Sequence, residues 1–225
     1  MNKQGPGRID WTDYTWNPVT GCKRGCDYCY ARRTYERFGM SFEPTLHSRR
    51  LNEVFRLREP ARIFVCSVAD LFGPWVPSAW IESVMGTVKN APQHTFQFLT
   101  KYPERYATFP WPENAWLGAT ATDQESMKRA VEALRYVEAP VRFVSAEPLL
   151  GWLFPEVGDE RGKTGSIDWL ILGAQTGPGA MKPDLMWASQ ALIVAACNGV
   201  PVWIKENLGW PQRIQEWPRE EVPIM

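Results

Sequence analysis

The sequence predicts an α/β fold of parallel βαβ units, arranged as a whole or partial barrel. Three observations carry that expectation. From about residue 60 onward, short apolar runs of strand type alternate with helical patterns. The clearest of these runs, Arg62-Ile-Phe-Val-Cys-Ser-Val68, is apolar almost throughout, as in a parallel strand covered on both faces. Most runs are followed at once by a polar residue, so these groups would ring one mouth, at the strand ends where barrels place function. Six or seven such units in 225 residues suit one domain spanning residues 1–225.

The elements follow in order. Residues 1–10 carry Gly and Pro and read as a loose lead-in. Tyr14 to Val19 reads as a first short strand, and Tyr30 to Phe38 as a helix stopped by Gly39. Phe42 to His47 is a short extended piece, and Arg49 to Arg58 a second helix before Pro60. Arg62 to Val68 is a strand. Ser78 can cap a helix that buries Ile81, Val84, Met85 and Val88. Thr95 to Thr100 is the next strand, followed by a short helix from Pro103 to Thr108. After the strand Trp116 to Ala121, Thr122-x-x-Glu125 reads as a capping box. Its helix places Met127, Ala130, Val131, Leu134 and Val137 on one face. Val141 to Ala146 and Trp169 to Gly173 are strands, separated by a Gly- and charge-rich excursion over Val157 to Ser166. Asp184 can cap the last long helix, which ends near Asn198-Gly199. Val200 to Lys205 is the final strand, and Trp210 to Met225, with three prolines, an irregular tail.

Chemistry concentrates between the first strand and the first helix. Cys22, Cys26 and Cys29 are spaced C-x3-C-x2-C on a tight loop. Three thiolates there can face one point, and soft thiolates select iron–sulfur clusters, zinc or Cu(I). On a 4Fe-4S cluster three thiolates leave one iron without a protein ligand, whereas a structural zinc needs a fourth ligand. Nearby sequence offers none, since His47 and His94 are distant and Cys66 and Cys197 sit within expected elements. A cluster that merely staples a binding module is the non-catalytic alternative. The polar residues at the strand ends are Thr20, Ser67 with Asp70, Thr100 with Lys101, Thr120 with Thr122, Ser145 with Glu147, Gln175, and Lys205 with Glu206. Singly, each has an ordinary structural explanation: Asp70 or Glu147 could cap a helix, and Lys205 could pair with a carboxylate.

Bulk properties narrow the class. A net charge of zero argues against a protein that coats nucleic acid electrostatically. Residues 1–66 nevertheless hold about twelve Lys/Arg against about seven Asp/Glu, including Lys23, Arg24, Arg32, Arg33, Arg49 and Arg50. That surplus reads as a solvated face plus compensation for an anionic cluster, or as the approach of a phosphate-bearing substrate. Five cysteines, three of them crowded, fit a reducing compartment, and no apolar run is long enough for a membrane span. A cytoplasmic protein is the default. Twelve tryptophans should be mostly core, with room for one or two stacking on a nucleobase.

C-x3-C-x2-C with an aromatic residue, Tyr28, just before the third cysteine resembles the signature of the radical S-adenosylmethionine (SAM) enzymes. The opening Trp11-Thr-Asp-Tyr-Thr-Trp16-Asn-Pro-Val-Thr-Gly-Cys22 is similar to that of the phage Gp37/Gp68-like family. So, in order, are Val68-Ala-Asp-Leu-Phe72, Phe98-Leu-Thr-Lys101-Tyr-Pro-Glu-Arg105, Trp116-Leu-Gly-Ala-Thr120, Ser145-Ala-Glu147-Pro-Leu-Leu-Gly151 and Ile167-Asp-Trp-Leu-Ile-Leu-Gly-Ala-Gln175-Thr-Gly-Pro178. The resemblance implies a partial (β/α)6 barrel of TIM type, a 4Fe-4S cluster on Cys22, Cys26 and Cys29, and S-adenosyl-L-methionine chelating the open iron.

By the same resemblance Tyr28 would contact the adenine, and Ser67 to Asp70 the amino group, where Val68-Ala69-Asp70 replaces the usual Gly-Gly-Glu. Thr120 and Thr122 would serve the ribose or carboxylate, with Lys128 or Arg129 in reach. An electron from a flavodoxin- or ferredoxin-type reductant protein would cleave the sulfonium to a 5′-deoxyadenosyl radical, which abstracts hydrogen from the substrate. Glu147 and Lys205 are candidates for substrate binding or proton transfer, and Lys101 and Gln175 for substrate binding. Two departures from the family pattern, Lys205-Glu206 for Lys-Gln and Ala174-Gln175-Thr176 for Gly-Glu-Ser, fit a specialised substrate. Phage-type kinship and the basic first third point to a nucleic acid or nucleotide, with a peptide or small metabolite as the other reading.

Overall fold

The computed structural model describes residues 1–5, 7–153 and 167–218. Its strands are β1 (Asn2–Lys3), β2 (Tyr14–Trp16), β3 (Val19–Thr20), β4 (Thr45–Leu46), β5 (Arg62–Val65), β6 (Thr95–Thr100), β7 (Ala115–Thr120), β8 (Arg142–Ala146), β9 (Trp169–Leu172) and β10 (Val202–Ile204). Its α-helices are α1 (Tyr30–Arg37), α2 (Ser78–Lys89), α3 (Gln124–Arg135) and α4 (Leu185–Cys197). One sheet of eight strands runs in the order β1-β2-β5-β6-β7-β8-β9-β10, and β3 pairs separately with β4. Within the large sheet every pairing is parallel except that of β1 with β2. The fold is mixed α/β, as the alternation predicts.

The sheet is strongly curved. In a flat sheet Phe64 on β5 and Trp169 on β9 would stand four strand spacings apart, roughly 19 Å. One indole, Trp11, touches both, with ring centroids 4.7 and 6.2 Å away. The concave face is therefore filled with rings: Trp11, Phe64, Trp116, Phe143, Trp169 and Trp203. The convex face carries Ile63, Val65, Phe96, Phe98, Leu117, Val144, Leu170 and Leu172, packed against α2, α3 and α4. Most tryptophans are consumed by these two cores, which explains their number.

Curvature stops short of closure, because β1 and β10 are edges that do not pair with each other. The terminal segments span the gap instead. Ile204 N donates to Ile214 O (2.8 Å) and Glu216 N to Val202 O (2.9 Å), extending β10. Gln215 Nε2 then reaches Asp10 Oδ2 at 3.1 Å. Trp217 stacks on Trp169 and lies under the Arg62 guanidinium at 3.6 Å. The lead-in is tied down as well, since β1 joins the sheet and the terminal amine pairs with Glu53.

Several local expectations are corrected. The first strand divides in two at Asn17-Pro18, because proline cannot continue the ladder. The segment after His47 is 3-10 rather than α, over Ser48–Arg56. The strand at Arg62 ends at Val65, where Cys66 turns to a φ of 59°. Helix α2 starts after Pro77 without a side-chain cap, so Ser78 is its first residue rather than its cap. The capping box of α3 lies one residue later than Thr122: Asp123 accepts from Ser126 N, and Ser126 Oγ from Asp123 N. Asp184 caps α4 as expected. The excursion over 157–166 and the tail beyond 218 lie outside the described residues. Among the described residues no helix is long and apolar enough to cross a membrane.

Candidate functional site

The cysteine loop is pinned at both ends. Gly21 bridges Ala69 as a parallel partner and donates to Val68 O at 3.2 Å, while Cys22 N donates to Phe42 O at 3.1 Å. Gly21 has φ +85°, and a β-carbon there would lie 2.3 Å from the Glu43 carbonyl oxygen. Only glycine fits. At the other end Cys29 caps α1, its Sγ accepting from Arg32 N at 3.4 Å. All three thiols are free of disulfides and line one cavity of about 480 Å³. Among the described residues no three His, Cys, Asp or Glu side chains converge as the ligands of a single metal ion. Three thiols lining one cavity are a soft donor set, of the kind that holds an iron–sulfur cluster or zinc.

The fold brings nearly all the candidate residues to this cavity. Tyr28, Ser67, Asp70, Lys101, Thr120, Glu147, Gln175 and Lys205 line it together with the three cysteines. Thr122 does not. It lines an adjoining niche of about 40 Å³ with Arg24, Tyr28, Lys101, Thr120, Ser126 and Arg129. The floor of the main cavity is apolar, formed by Ile9, Trp11, Phe64 and Leu99.

Each candidate also has partners of its own. The buried Asp70 carboxylate accepts from Phe72 N, Thr100 Oγ1 and Lys101 N, stitching the end of β5 to that of β6. Ser67 Oγ donates to Asn17 Oδ1, and its carbonyl accepts from Tyr30 OH. Gln175 Oε1 accepts from Met181 N at 3.4 Å, within its own loop. Lys205 Nζ pairs with Glu147 Oε1 at 2.5 Å. That pair lies across Gly173, where an added β-carbon would sit 3.1 Å from both side chains.

Charge around the cysteines is positive. Arg24 lies over the Tyr102 ring at 4.9 Å and Lys101 5.8 Å from the Tyr28 ring. Neither has a carboxylate within ion-pair distance among the described residues. Burial pushes the Cys22 thiol up, and nearby Asp70 adds to this, against the opposing backbone N–H of Arg24. Burial likewise raises the Tyr28 phenol, helped by Cys26. A ligand replacing the Cys22 proton with a cationic metal would relieve the first of these penalties.

Sequence reasoning missed three positioning residues. Asn17 holds the Ser67–Val68 turn through one oxygen. Asn207 clamps Ala174, its amide pairing with both backbone groups at 3.2 and 2.9 Å. Arg105 reaches the carbonyls of Phe72, Gly73 and Val76, so its own role is structural. For Asn207 the available signal was an Asn just past the last expected strand, whereas Asn17 lay inside the expected first strand, with only the following Pro18 to mark a break.

Residues 6–220 match the family described as DUF5131, protein of unknown function. The chain belongs to the DUF5131 family. No curated protein and no solved structure matches it.

Proposed function

We propose that this DUF5131 protein is a radical SAM enzyme that carries a 4Fe-4S cluster on Cys22, Cys26 and Cys29, binds S-adenosyl-L-methionine, and modifies or repairs a nucleic-acid or nucleotide substrate. The supporting observation is that three free thiols on a pinned loop open into the cavity ringed by the strand-end polar residues. On this reading the curved, open sheet is the partial (β/α)6 barrel of such enzymes. The cationic surroundings fit an anionic thiolate-bound cluster, and the cavity falls in the range of ligand sites. Together the two cofactors supply one-electron reductive cleavage of a carbon–sulfur bond and a radical able to abstract hydrogen.

The chain's own groups bind, orient and shield. Tyr28 and Thr120 flank the cysteines as contacts for the nucleoside. Arg24, Lys101, Thr122 and Arg129 make a niche suited to a carboxylate, although Arg129 already pairs with Glu104 at 2.6 Å. Asp70 presents carboxylate oxygens at the cavity wall. The apolar floor excludes water from the reacting centre. Glu147 and Lys205 follow directly on β8 and β10, share the cavity with the cysteine loop, and offer an acceptor and a donor to substrate. A flavodoxin- or ferredoxin-type reductant in the cytoplasm would supply electrons.

The test is anaerobic reconstitution. About four irons per chain and dithionite-dependent 5′-deoxyadenosine are expected, both lost in Cys26→Ala. Iron uptake without SAM cleavage would leave only a cluster-stapled binding module. For the substrate class, nucleic-acid binding should weaken steeply with salt, and a flat dependence would turn the assignment to a peptide or small metabolite.

A further inference from the structure

Arg32 is a cation without an anion, held against both ends of the cysteine motif. Its Nη2 donates to the Cys22 carbonyl at 2.8 Å, and its backbone N–H points at Cys29 Sγ. The guanidinium lies 5.1 Å from the centroid of Phe42, the residue whose carbonyl receives Cys22 N. Its Nε is buried and has no acceptor. No carboxylate comes within ion-pair distance of it among the described residues.

The acids that could have neutralised it are otherwise placed. Glu43 pairs with Lys23 at 2.9 Å, the Asp70 carboxylate already takes three donors, and Asp27 and Glu36, the latter one turn on along α1, are exposed and make no ion pair with Arg32. A partly buried charge left unpaired is costly, so such groups are normally matched. The thiols at the two ends of the motif are the nearby groups that can become anionic, and Arg24 and Lys101, which line the cavity with them, share the same surplus of positive charge.

We infer that Arg32 is a counter-charge of the iron–sulfur centre: it keeps the first and third ligands in register and raises the centre's reduction potential. The inference rests on the proposed cluster. Uptake of one electron from an external reductant adds one negative charge to the centre, and a fixed cation nearby stabilises the reduced form more than the oxidised one. Hydrogen bonds to ligand sulfur and net local charge act on iron–sulfur potentials in the same direction. Lys23, on the same loop, is exposed and already paired, so solvent screens it and it contributes little.

The experiment is a potentiometric titration of the anaerobically reconstituted protein, following the reduced cluster by electron paramagnetic resonance, with no substrate or turnover. Arg32→Gln removes the charge and retains a donor for the Cys22 carbonyl. Its reduction equilibrium at fixed potential should fall about tenfold, a downward shift of about 59 mV for a one-electron couple. Arg32→Lys should stay within a third of that shift, and Lys23→Gln should not move. A midpoint unchanged in Arg32→Gln overturns the inference while the cluster reading stands. If Arg32→Gln holds no iron, iron retained by Arg32→Lys supports the counter-charge, and iron lost from both overturns it in favour of the guanidinium's shape. Wild-type protein that takes up no iron would defeat the cluster reading itself.

Discussion

Gly21→Ala tests whether the cysteine loop is wedged where the structure places it. The new β-carbon would meet Glu43 O at 2.3 Å, Glu43 C at 2.5 Å and Phe42 O at 2.6 Å, all backbone atoms that no rotamer change can move. At φ +85° the left-handed conformation costs about 1–2 kcal/mol for a residue with a β-carbon. Relief of the clash has to separate residues 21–22 from 42–43, which strains the bonds Cys22 N to Phe42 O and Gly21 N to Val68 O. Each is worth about 1 kcal/mol net. The total is about 3 kcal/mol, which for a chain of this size lowers Tm by roughly 6–12 °C. Differential scanning calorimetry of the apo-protein measures the first effect. Iron bound per chain after reconstitution measures the second, and it should fall because Cys22 moves with Gly21. An unchanged Tm with full iron loading would refute the wedge and the loop geometry with it.

Other outcomes follow from the same geometry. Glu147 and Lys205 are largely buried, with side-chain exposures of 23% and 13%. Glu147→Gln or Lys205→Met alone should cost about 2 kcal/mol by leaving a charge unmatched, and the double variant should recover about 1–3 kcal/mol of coupling in urea titrations; additive losses would show that the two do not interact. Burial lowers the pKa of both His94 and His47, with Arg50 also acting on His47. The folded state then binds fewer protons than the unfolded chain, so the apo-protein's stability is full above about pH 6.5 and drains as pH falls below it. A Tm that rises between pH 7 and 5.5 would contradict this sign, and His94→Gln should flatten the profile. Cys66, at φ 59°, should tolerate Gly, because the conformational relief of about 1–2 kcal/mol offsets the lost burial. Cys66→Val should cost about 2 kcal/mol or more; the reverse order of urea midpoints would rule out the left-handed turn.

Much of the fold could be read from local pattern, because a helix face or a buried strand leaves its period in the sequence. The faces of α2 and α3, Ile81 to Val88 and Met127 to Leu134, are buried as their spacing requires. Boundaries were less legible where one residue decides between competing local bonds. Asp123 took the cap from Thr122 because its carboxylate reaches Ser126 N, and Cys66 ended its strand by a turn that no propensity announces.

By itself the sequence determined which residues are candidates for chemistry: a cysteine triplet and a polar residue after most apolar runs, legible because ligand type and strand ends are local properties. Tertiary structure alone decided how they combine. The pairing of Lys205 with Glu147 and the use of Asp70 as a stitch depend on contacts between residues tens of positions apart, and the isolation of Arg32 on which acids the fold brings near it. So does the shape of the sheet. A sequence states the strands and their order, but curvature without closure comes from the packing of Trp11, Trp169 and Trp217 on the concave face. Ring-to-ring contact across four strands is a property of assembled surfaces, which no window of neighbouring residues contains.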